Sequence, residues 1–132
     1  MDINKKIEAL GIVPVVVLND ANDAVPLCKA LAEGGLPVAE ITFRTAAAEE
    51  SIRRVTAELP DVLVGAGTVL TTEQVDRAIG AGAKFIVSPG FNPEVVVWCI
   101  EHGVGVTPGC VTPTEIMQAM AYGLIDKVIE KR

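Results

Sequence analysis

Three polar side chains alternate within an otherwise apolar segment, residues 38–43, and just after it. Glu40, Thr42 and Arg44 share one parity, so they lie on one face if the segment forms a β-strand. A carboxylate in a low-dielectric pocket can act as a general acid or base, and an arginine nearer the rim can bind an anionic group. An internal salt bridge between Glu40 and Arg44 would explain the same pattern. The segment therefore predicts either a reactive carboxylate or a buried ion pair.

Small and hydroxyl-bearing residues end the apolar segments that follow. Gly65 and Gly67 would let a substrate approach the backbone closely, and Thr68 offers a hydroxyl beside them. Proline–glycine pairs begin at Pro89 and Pro108, although turn formation alone would also account for them. Ligands of parallel α/β folds bind at the carboxyl ends of the strands. These positions are therefore predicted to face one ligand site.

Five short β-branched segments alternate with five segments of helical periodicity. The strands are predicted at 12–18, 38–43, 62–66, 85–88 and 104–107, and the helices at 22–33, 45–59, 72–81, 93–102 and 113–122. Residues that can cap a helix N-terminus precede each helix, at Asp20, Thr45, Thr71, Asn92 and Thr112. A further amphipathic helix over 3–10 is predicted to close the bottom of a barrel.

Alternating βα units with helical crossovers require a parallel sheet. The strand starts lie about 23 residues apart on average, so eight such units would exceed the 132 residues of the chain. The sequence predicts an α/β fold, a single domain over 1–132, in which a parallel (βα)5 portion of a TIM barrel follows an N-terminal helix. A rearranged open doubly wound sheet is the alternative. No glycine-rich phosphate loop follows the first strand, which disfavours a nucleotide-binding version of that sheet.

Charge and composition narrow the partners and the compartment. The net charge of −6 has the wrong sign for nucleic acid or an anionic membrane surface. The longest nearly uncharged apolar run, 11–18, is far shorter than a membrane span, and the first residues lack the apolar core of a signal peptide. We expect a cytoplasmic protein without nucleic-acid or membrane partners. Its three cysteines have no CxxC spacing, so they predict buried side chains rather than disulfides or a zinc site.

Six motifs together resemble one family. They lie at 11–17, 34–35, 38–45, 64–69, 82–90 and 107–115, within a likeness that covers residues 8–124. They resemble the 2-keto-3-deoxy-6-phosphogluconate and 4-hydroxy-2-oxoglutarate aldolases. The resemblance implies a TIM-barrel class I aldolase, usually a homotrimer, that cleaves a 2-keto-3-deoxy acid into pyruvate and an aldehyde. It implies a lysine Schiff base and neither a metal nor another cofactor.

The resemblance also implies roles for individual residues. Glu40 corresponds to the general acid/base of the family. Arg44 and Thr68 correspond to substrate contacts, with Thr68 on the side of the pyruvate carboxylate. Pro89 corresponds to a residue that lines the pyruvyl pocket.

The end of the sequence departs from the family. The Schiff-base lysine of the family stands five residues beyond a glycine, but five residues beyond Gly123 is Val128, and Lys127 comes one position early. A shift of one residue turns a strand side chain to the opposite face. Residues 124–132 have helical spacing and are predicted to be a divergent tail, with Lys127 as a possible but out-of-register nucleophile. The seventh and eighth strands of the family, whose glycine-rich loops hold the substrate phosphate, have no counterpart in the sequence.

Two classes of function follow for such a chain. One is an aldolase whose site is half encoded, weak or inactive alone unless Lys127 or a second chain completes it. The other is a non-catalytic folding or assembly module derived from the aldolase barrel. An open barrel leaves its first and fifth strands as edges, so either class predicts a homo-oligomer, through the trimer surface of the family or by mutual completion of two half barrels.

Overall fold

The structure is a computed structural model, and it describes residues 2–124. Its α-helices are α1 (Ile3–Leu10), α2 (Ala24–Glu33), α3 (Ala48–Glu58), α4 (Thr72–Ala81), α5 (Pro93–Glu101) and α6 (Pro113–Ala121). Its strands are β1 (Val15–Val16), β2 (Val38–Thr42), β3 (Leu63–Gly67), β4 (Phe85–Ser88) and β5 (Gly105–Pro108). A short 3-10 helix, Ala21–Asp23, precedes α2. The predicted alternation of strands and helices is confirmed, preceded by the predicted N-terminal helix.

All neighbouring strands are parallel, and their order in the sheet is the order in the chain, β1-β2-β3-β4-β5. This order is that of a barrel wall, in which each βα unit adds a strand on the same side. A doubly wound sheet reverses its order at a switch point. The alternative of a rearranged doubly wound sheet is therefore wrong, and the α/β barrel portion is confirmed.

The outer face of the sheet carries the main hydrophobic core. One residue from each strand represents it, and each is less than a tenth exposed: Val16, Ile41, Val64, Ile86 and Val106. Helices α2 to α6 cover this face with their own buried residues. Burial of these branched aliphatic side chains is the main favourable contribution to folding.

Helix α1 lies on the other side of the sheet. Its apolar residues Ile3, Ile7 and Leu10 pack with Val38 and Phe85, which begin β2 and β4. The Asp2 carboxylate accepts from Asn4 N, and the helix ends at Gly11, whose φ of 76° is accessible to glycine. Helix α1 therefore closes the amino end of the inner face, as predicted.

The N-terminal caps agree with the sequence at four helices and differ at one. The predicted caps that accept a backbone N–H are Asp20, Thr71, Asn92 and Thr112, with Asp20 capping the 3-10 helix. Thr45 is not the N-cap of α3, because α3 begins only at Ala48 and Ala47 occupies the cap position. The predicted cap at Thr45 is therefore wrong: its hydroxyl accepts from Ala47 N in the turn before the helix and donates to the Leu18 carbonyl, which links the segments that follow β2 and β1.

The first strand is shorter than predicted. The apolar run at 12–18 contains only two strand residues, Val15 and Val16, which pair with Glu40 and Ile41. Among the described residues β1 has β2 as its one neighbour, so its other edge forms no ladder. Within the predicted tail, Leu124 is buried, and residues 125–132 lie outside the described part of the chain.

Candidate active site

A cavity of about 710 Å³ lies on the concave inner face of the sheet. Glu40, Arg44, Thr68 and Pro89, predicted from the sequence as site residues, all line it. Glu40 lies in the middle of β2, and Arg44, Thr68 and Pro89 follow the carboxyl ends of β2, β3 and β4, where the chain leaves the sheet. The remaining lining residues are Ile7, Glu8, Gly11, Val13, Val15, Phe85, Val87 and Thr107. The fifth predicted residue, Lys127, lies outside the described residues.

The Glu40 carboxylate lies against β3. A Cβ atom at Gly67 would be 2.8 Å from both Cγ and Cδ of Glu40, closer than real Cβ atoms come to other heavy atoms. Glycine at this position therefore leaves the volume that the carboxylate occupies. Glu40 is only 8% exposed, although one wall of its surroundings is the open cavity. The predicted burial of the Glu40 carboxylate is therefore confirmed.

A second glycine on β3 makes room for an aromatic ring. Any Cβ at Gly65 would overlap the ring of Phe85, which is 3% exposed and lies on β4 beside it. The ring thus lies over Gly65, two residues before the Gly67 position that the Glu40 carboxylate covers, and together with Val87 it forms an apolar floor. Such a floor keeps water away from the lower part of the cavity.

Arg44 and Thr68 meet at the rim. Arg44 Nε donates to Thr68 Oγ1 at 3.3 Å, and Arg44 is exposed. Among residues 2–124 the ion pairs lie on α3 and α4, and none joins Glu40 to Arg44. The Arg44 guanidinium reaches instead across to the end of β3, so the described contacts give no support to an internal Glu40–Arg44 salt bridge.

Thr68 has an unusual backbone. Its φ is 53°, and it is the one non-glycine residue with a positive φ in the described chain. A β-branched residue is strained in this region, and such strain often occurs at functional sites. The conformation turns the chain sharply after β3 and leaves Thr68 lining the cavity.

The two proline–glycine turns pack against each other. Gly109 N donates to Ser88 O at 2.9 Å, and a Cβ at Gly109 would lie 2.7 Å from the carbonyl carbon of Pro89. The Ser88 hydroxyl donates to Gly90 O at 2.8 Å, which closes the turn at Pro89. Close backbone contact thus fixes Pro89 at the cavity wall, more tightly than an isolated turn would.

The described part of the chain offers little other reactive chemistry. Its three cysteines are buried, and burial raises the pKa of the Cys28 and Cys110 thiols, with the negative charge of Glu115 adding to the effect at Cys110. Within residues 2–124, no group of three or more His, Cys, Asp or Glu side chains is arranged to hold a metal ion. None of the helices there is long and apolar enough to cross a membrane.

Some lining residues were not predicted as part of a site. Phe85 and Thr107 look from the sequence like ordinary strand residues, and α1 looks like a cap rather than a wall. A signal was nevertheless present, because Gly65 on one strand and Phe85 on the next form a small–large pair of the kind that fills barrel interiors.

The arrangement supports proton transfer beside an anion-binding rim. Glu40 lies in a cavity with an apolar floor, and Arg44 with Thr68 provides donors that suit a carboxylate. No lysine is among the lining residues of the described chain. Any Schiff-base chemistry in this cavity would therefore need a nucleophile from outside the described residues.

Comparison with known proteins gives one family. The model of the KDPG and KHG aldolase family matches residues 3–128. A 2-dehydro-3-deoxy-phosphogluconate aldolase of Treponema pallidum is 51% identical over 118 residues, which are 89% of this chain and 56% of that protein. A KHG/KDPG aldolase of Escherichia coli K12 is 42% identical over 86% of this chain and 53% of its own length. The chain thus spans somewhat more than half the length of the curated relatives it matches.

Solved structures give the same answer. The 2-keto-3-deoxy-6-phosphogluconate aldolase of Zymomonas mobilis ATCC 29191 superposes with a TM-score of 0.82 and 36% identity, over 89% of this chain and 59% of that one. The KDPG aldolase of Legionella pneumophila, with pyruvate captured as a covalent carbinolamine, has a TM-score of 0.81 and 36% identity. That match covers 84% of this chain and 54% of the Legionella chain.

Proposed function

Because the chain belongs to the KDPG and KHG aldolase family, we propose that its cavity binds a pyruvate-type 2-keto acid within the active site of a Schiff-base aldolase. The reaction is cleavage of 2-keto-3-deoxy-6-phosphogluconate or 4-hydroxy-2-oxoglutarate into pyruvate and an aldehyde. One observation carries the proposal: Glu40 of β2 lines the same cavity as Arg44, Thr68 and Pro89, which follow the ends of three neighbouring strands.

The rim accounts for recognition of the keto acid. A carboxylate that enters the cavity meets the Thr68 hydroxyl and the Arg44 guanidinium, which are already in contact with each other. Charge-assisted hydrogen bonds from a guanidinium are stronger than those between neutral groups, and they orient a planar carboxylate. The apolar floor under the site suits the methyl or methylene group of a pyruvyl unit.

Glu40 is placed to move the protons of the cleavage. In a retro-aldol step on a lysine Schiff base, a base takes the proton of the C4 hydroxyl and the C3–C4 bond breaks. The aldehyde leaves, the electron pair passes through C3 to the iminium nitrogen, and a proton later returns to C3. A single carboxylate can accept the first proton and return one to C3. Gly67 permits this role, because it leaves the carboxylate its place beside the cavity.

We propose that the 132-residue chain alone is several orders of magnitude less active than the longer relatives. In the sequence Lys127 stands one position before the family register and follows Asp126 directly. A Schiff-base lysine must be largely neutral near pH 7, which requires that its ordinary pKa of about 10.4 fall. A neighbouring carboxylate opposes that fall, because it stabilises the ammonium form.

A folding or assembly module is the second candidate, and the edges of the sheet favour it. Within residues 2–124, β1 and β5 each pair with one neighbouring strand. Val15 and Val17 beside the open edge are 59% and 47% exposed. Unpaired edges and exposed apolar side chains favour self-association, so the proposal includes a homo-oligomer. Sedimentation at micromolar concentration should show a species heavier than the 13.9 kDa monomer; a well-folded monomer would contradict this part.

Trapping with pyruvate and borohydride separates the two candidates. Reduction of a Schiff base leaves a stable adduct on a lysine, which intact-protein mass spectrometry and peptide mapping locate. The aldolase proposal predicts an adduct that disappears in the Lys127→Ala variant of this chain, or that appears on a lysine of a second chain that completes it. If the chain stays unmodified after prolonged reaction with saturating pyruvate, only the second candidate, the assembly module, remains.

Turnover assays then test the role of Glu40. Release of pyruvate from 2-keto-3-deoxy-6-phosphogluconate should be slow for the chain and should vanish in Glu40→Gln, which keeps the size of the side chain. Circular dichroism should show the same fold for both proteins. Full activity of Glu40→Gln would remove Glu40 from the mechanism.

A further inference from the structure

The strained residue Thr68 needs support from its surroundings. A β-branched residue at a φ of 53° would relax to a negative φ if the loop between β3 and α4 were free. Residues held in such conformations persist only where neighbouring structure fixes them.

Backbone hydrogen bonds fix the residues on either side of Thr68. Phe43 N donates to Gly67 O at 2.8 Å, and Val69 N donates to Val87 O at 3.2 Å. Val69 is also fully buried. These contacts tie the loop to β2 and β4, but they leave the following residue, Leu70, outside the sheet.

Leu70 is held by two side chains rather than by its own packing. Its side chain is 52% exposed, so it contributes little burial. Its N–H donates to Gln74 Oε1 at 2.7 Å, and its carbonyl accepts from Asn92 Nδ2 at 3.1 Å. Gln74 lies in the first turn of α4, and Asn92 is the N-cap of α5. Both backbone groups of an exposed loop residue are thus taken up by side chains from two different helices.

Asn92 performs two tasks at once. Its Oδ1 accepts from Glu94 N at 3.0 Å, which caps α5, while its Nδ2 reaches the loop after β3. Capping alone requires only an oxygen, and aspartate or serine caps a helix about as well as asparagine. The amide nitrogen therefore has a purpose that the cap does not explain.

We propose that Gln74 and Asn92 are positioning residues that clamp Leu70 and so hold Thr68 in its left-handed conformation, with its hydroxyl on Arg44 at the rim of the cavity. The inference rests on the proposed function, because that function makes the rim the binding site of the keto-acid carboxylate. Neither residue lines the cavity, so each acts through Thr68. Gly67 and Val69 keep their own backbone hydrogen bonds without the clamp, so its loss loosens the loop beyond Val69 and weakens, rather than abolishes, the hold on the Thr68 backbone and hydroxyl.

Conservative variants separate the clamp from the helix caps. Asn92→Asp keeps the oxygen that caps α5 but replaces the donor to Leu70 with an oxygen that repels its carbonyl. Gln74→Met removes the acceptor for Leu70 N at similar size, while Gln74→Glu retains it. Thr112→Ala is the matched control, because it removes an N-cap of the same kind on α6 without touching this loop.

Pyruvate affinity of the full chain, measured by saturation-transfer NMR, is the first readout. Asn92→Asp and Gln74→Met should each weaken it roughly three- to tenfold, the value of one hydrogen bond. Gln74→Glu and Thr112→Ala should bind like the parent, although Thr112→Ala melts at a lower temperature. Parent-like binding by both clamp variants, or an equal loss in Thr112→Ala, would overturn the proposal.

The backbone of Thr68 gives a second readout that needs no ligand. A positive φ brings the amide proton close to Hα, so the parent should show a strong intraresidue NOE between them. The NOE should weaken in Asn92→Asp and Gln74→Met and persist in Gln74→Glu. If pyruvate does not bind even the parent, the proposed function fails while this NOE still decides the clamp; an unchanged NOE in both clamp variants contradicts it.

Discussion

Alternate residues of the same strands face opposite sides of the sheet, and the two sides have different roles. On the outer face, Ile41, Val64 and Ile86 are at most 1% exposed and pack under the helices. On the inner face, the neighbouring positions include Glu40 and Gly65. A step of one residue along a strand therefore moves from a close-packed core to a cavity wall.

The difference teaches how the chain combines stability with a site. The outer face excludes water with branched aliphatic side chains, which is what a stable core requires. The inner face gives up packing at Gly65 and Gly67, and the space is taken by Phe85 and Glu40. Substitutions on the outer face should therefore lower stability. Substitutions on the inner face should lower stability less and affect binding or proton transfer in the cavity more.

The largest loss of stability is expected at the outer face. Ile86→Ala leaves a cavity beneath the helices and should lower the free energy of unfolding by about 2–5 kcal/mol. Ile86→Val removes one methylene and should cost only about 0.5–1.5 kcal/mol. Urea unfolding followed by circular dichroism measures both. Losses of equal size in the two variants would show that this face is not close-packed.

A smaller loss is expected where the inner face packs a ring against glycine. Gly65→Ala places a methyl group in the volume of the Phe85 ring and should cost about 1–3 kcal/mol by overpacking. Phe85→Leu shortens the neighbour, so the double variant should be more stable than the sum of the single losses predicts. If the losses of the two single variants simply add in the double variant, in the same urea assay, the Phe85 ring does not pack against Gly65.

The site, rather than the fold, should respond at Gly67. Gly67→Ala displaces the flexible end of Glu40, and alanine suits a strand better than glycine, so stability should stay within about 1 kcal/mol of the parent. Exchange of pyruvate methyl protons in deuterated water, already slow in the parent, should fall to the buffer background, as in Glu40→Gln. Exchange at the parent rate in Gly67→Ala would show that the position of the Glu40 carboxylate does not depend on this glycine.

The smallest effect concerns a network of exposed ion pairs on α3 and α4. Hydrogen bonds from Arg77 and then Arg53 hold the pKa of Glu49 below its ordinary value of 4.5. A lowered folded-state pKa contributes stability above 4.5, and that stability is lost as the pH falls through the folded value. Because the groups are exposed, the effect should be slight.

The melting temperature of Glu49→Gln provides the test of this network. It should lie slightly below that of the parent at pH 7, and the two should converge in acid below the ordinary glutamate pKa. A difference that grows as the pH falls would reverse the assigned sign.

Most of the fold could be predicted because it depends on local signals. β-Branched segments, helix caps and proline at helix starts mark the elements of one βα unit after another. The exceptions depend on partners distant in sequence. The first strand shrinks to two residues at a sheet edge, and Thr45 gives its hydroxyl to Leu18, 27 positions away.

The site shows the same division. The parity of Glu40 and the hydroxyl of Thr68 were visible in the sequence, and all the predicted site residues that the structure describes line the cavity. The contact of Arg44 with Thr68, and the strained φ of Thr68, depend on how β2 and β3 align and on the loop that follows. No pattern within one segment carries that information. The role of Lys127 stays a prediction.

Mapping pyruvate on the 15N-labelled chain tests the central claim most directly, namely that the inner face is the keto-acid site. Titration should shift the amide signals of Arg44, Gly67 and Thr68 in a saturable way. The shifts of the outer-face residues Ile41 and Ile86 should be smaller or absent. The Arg44→Leu variant should lose most of the effect. Shifts confined to the helices, or no saturable shift at all, would contradict the account.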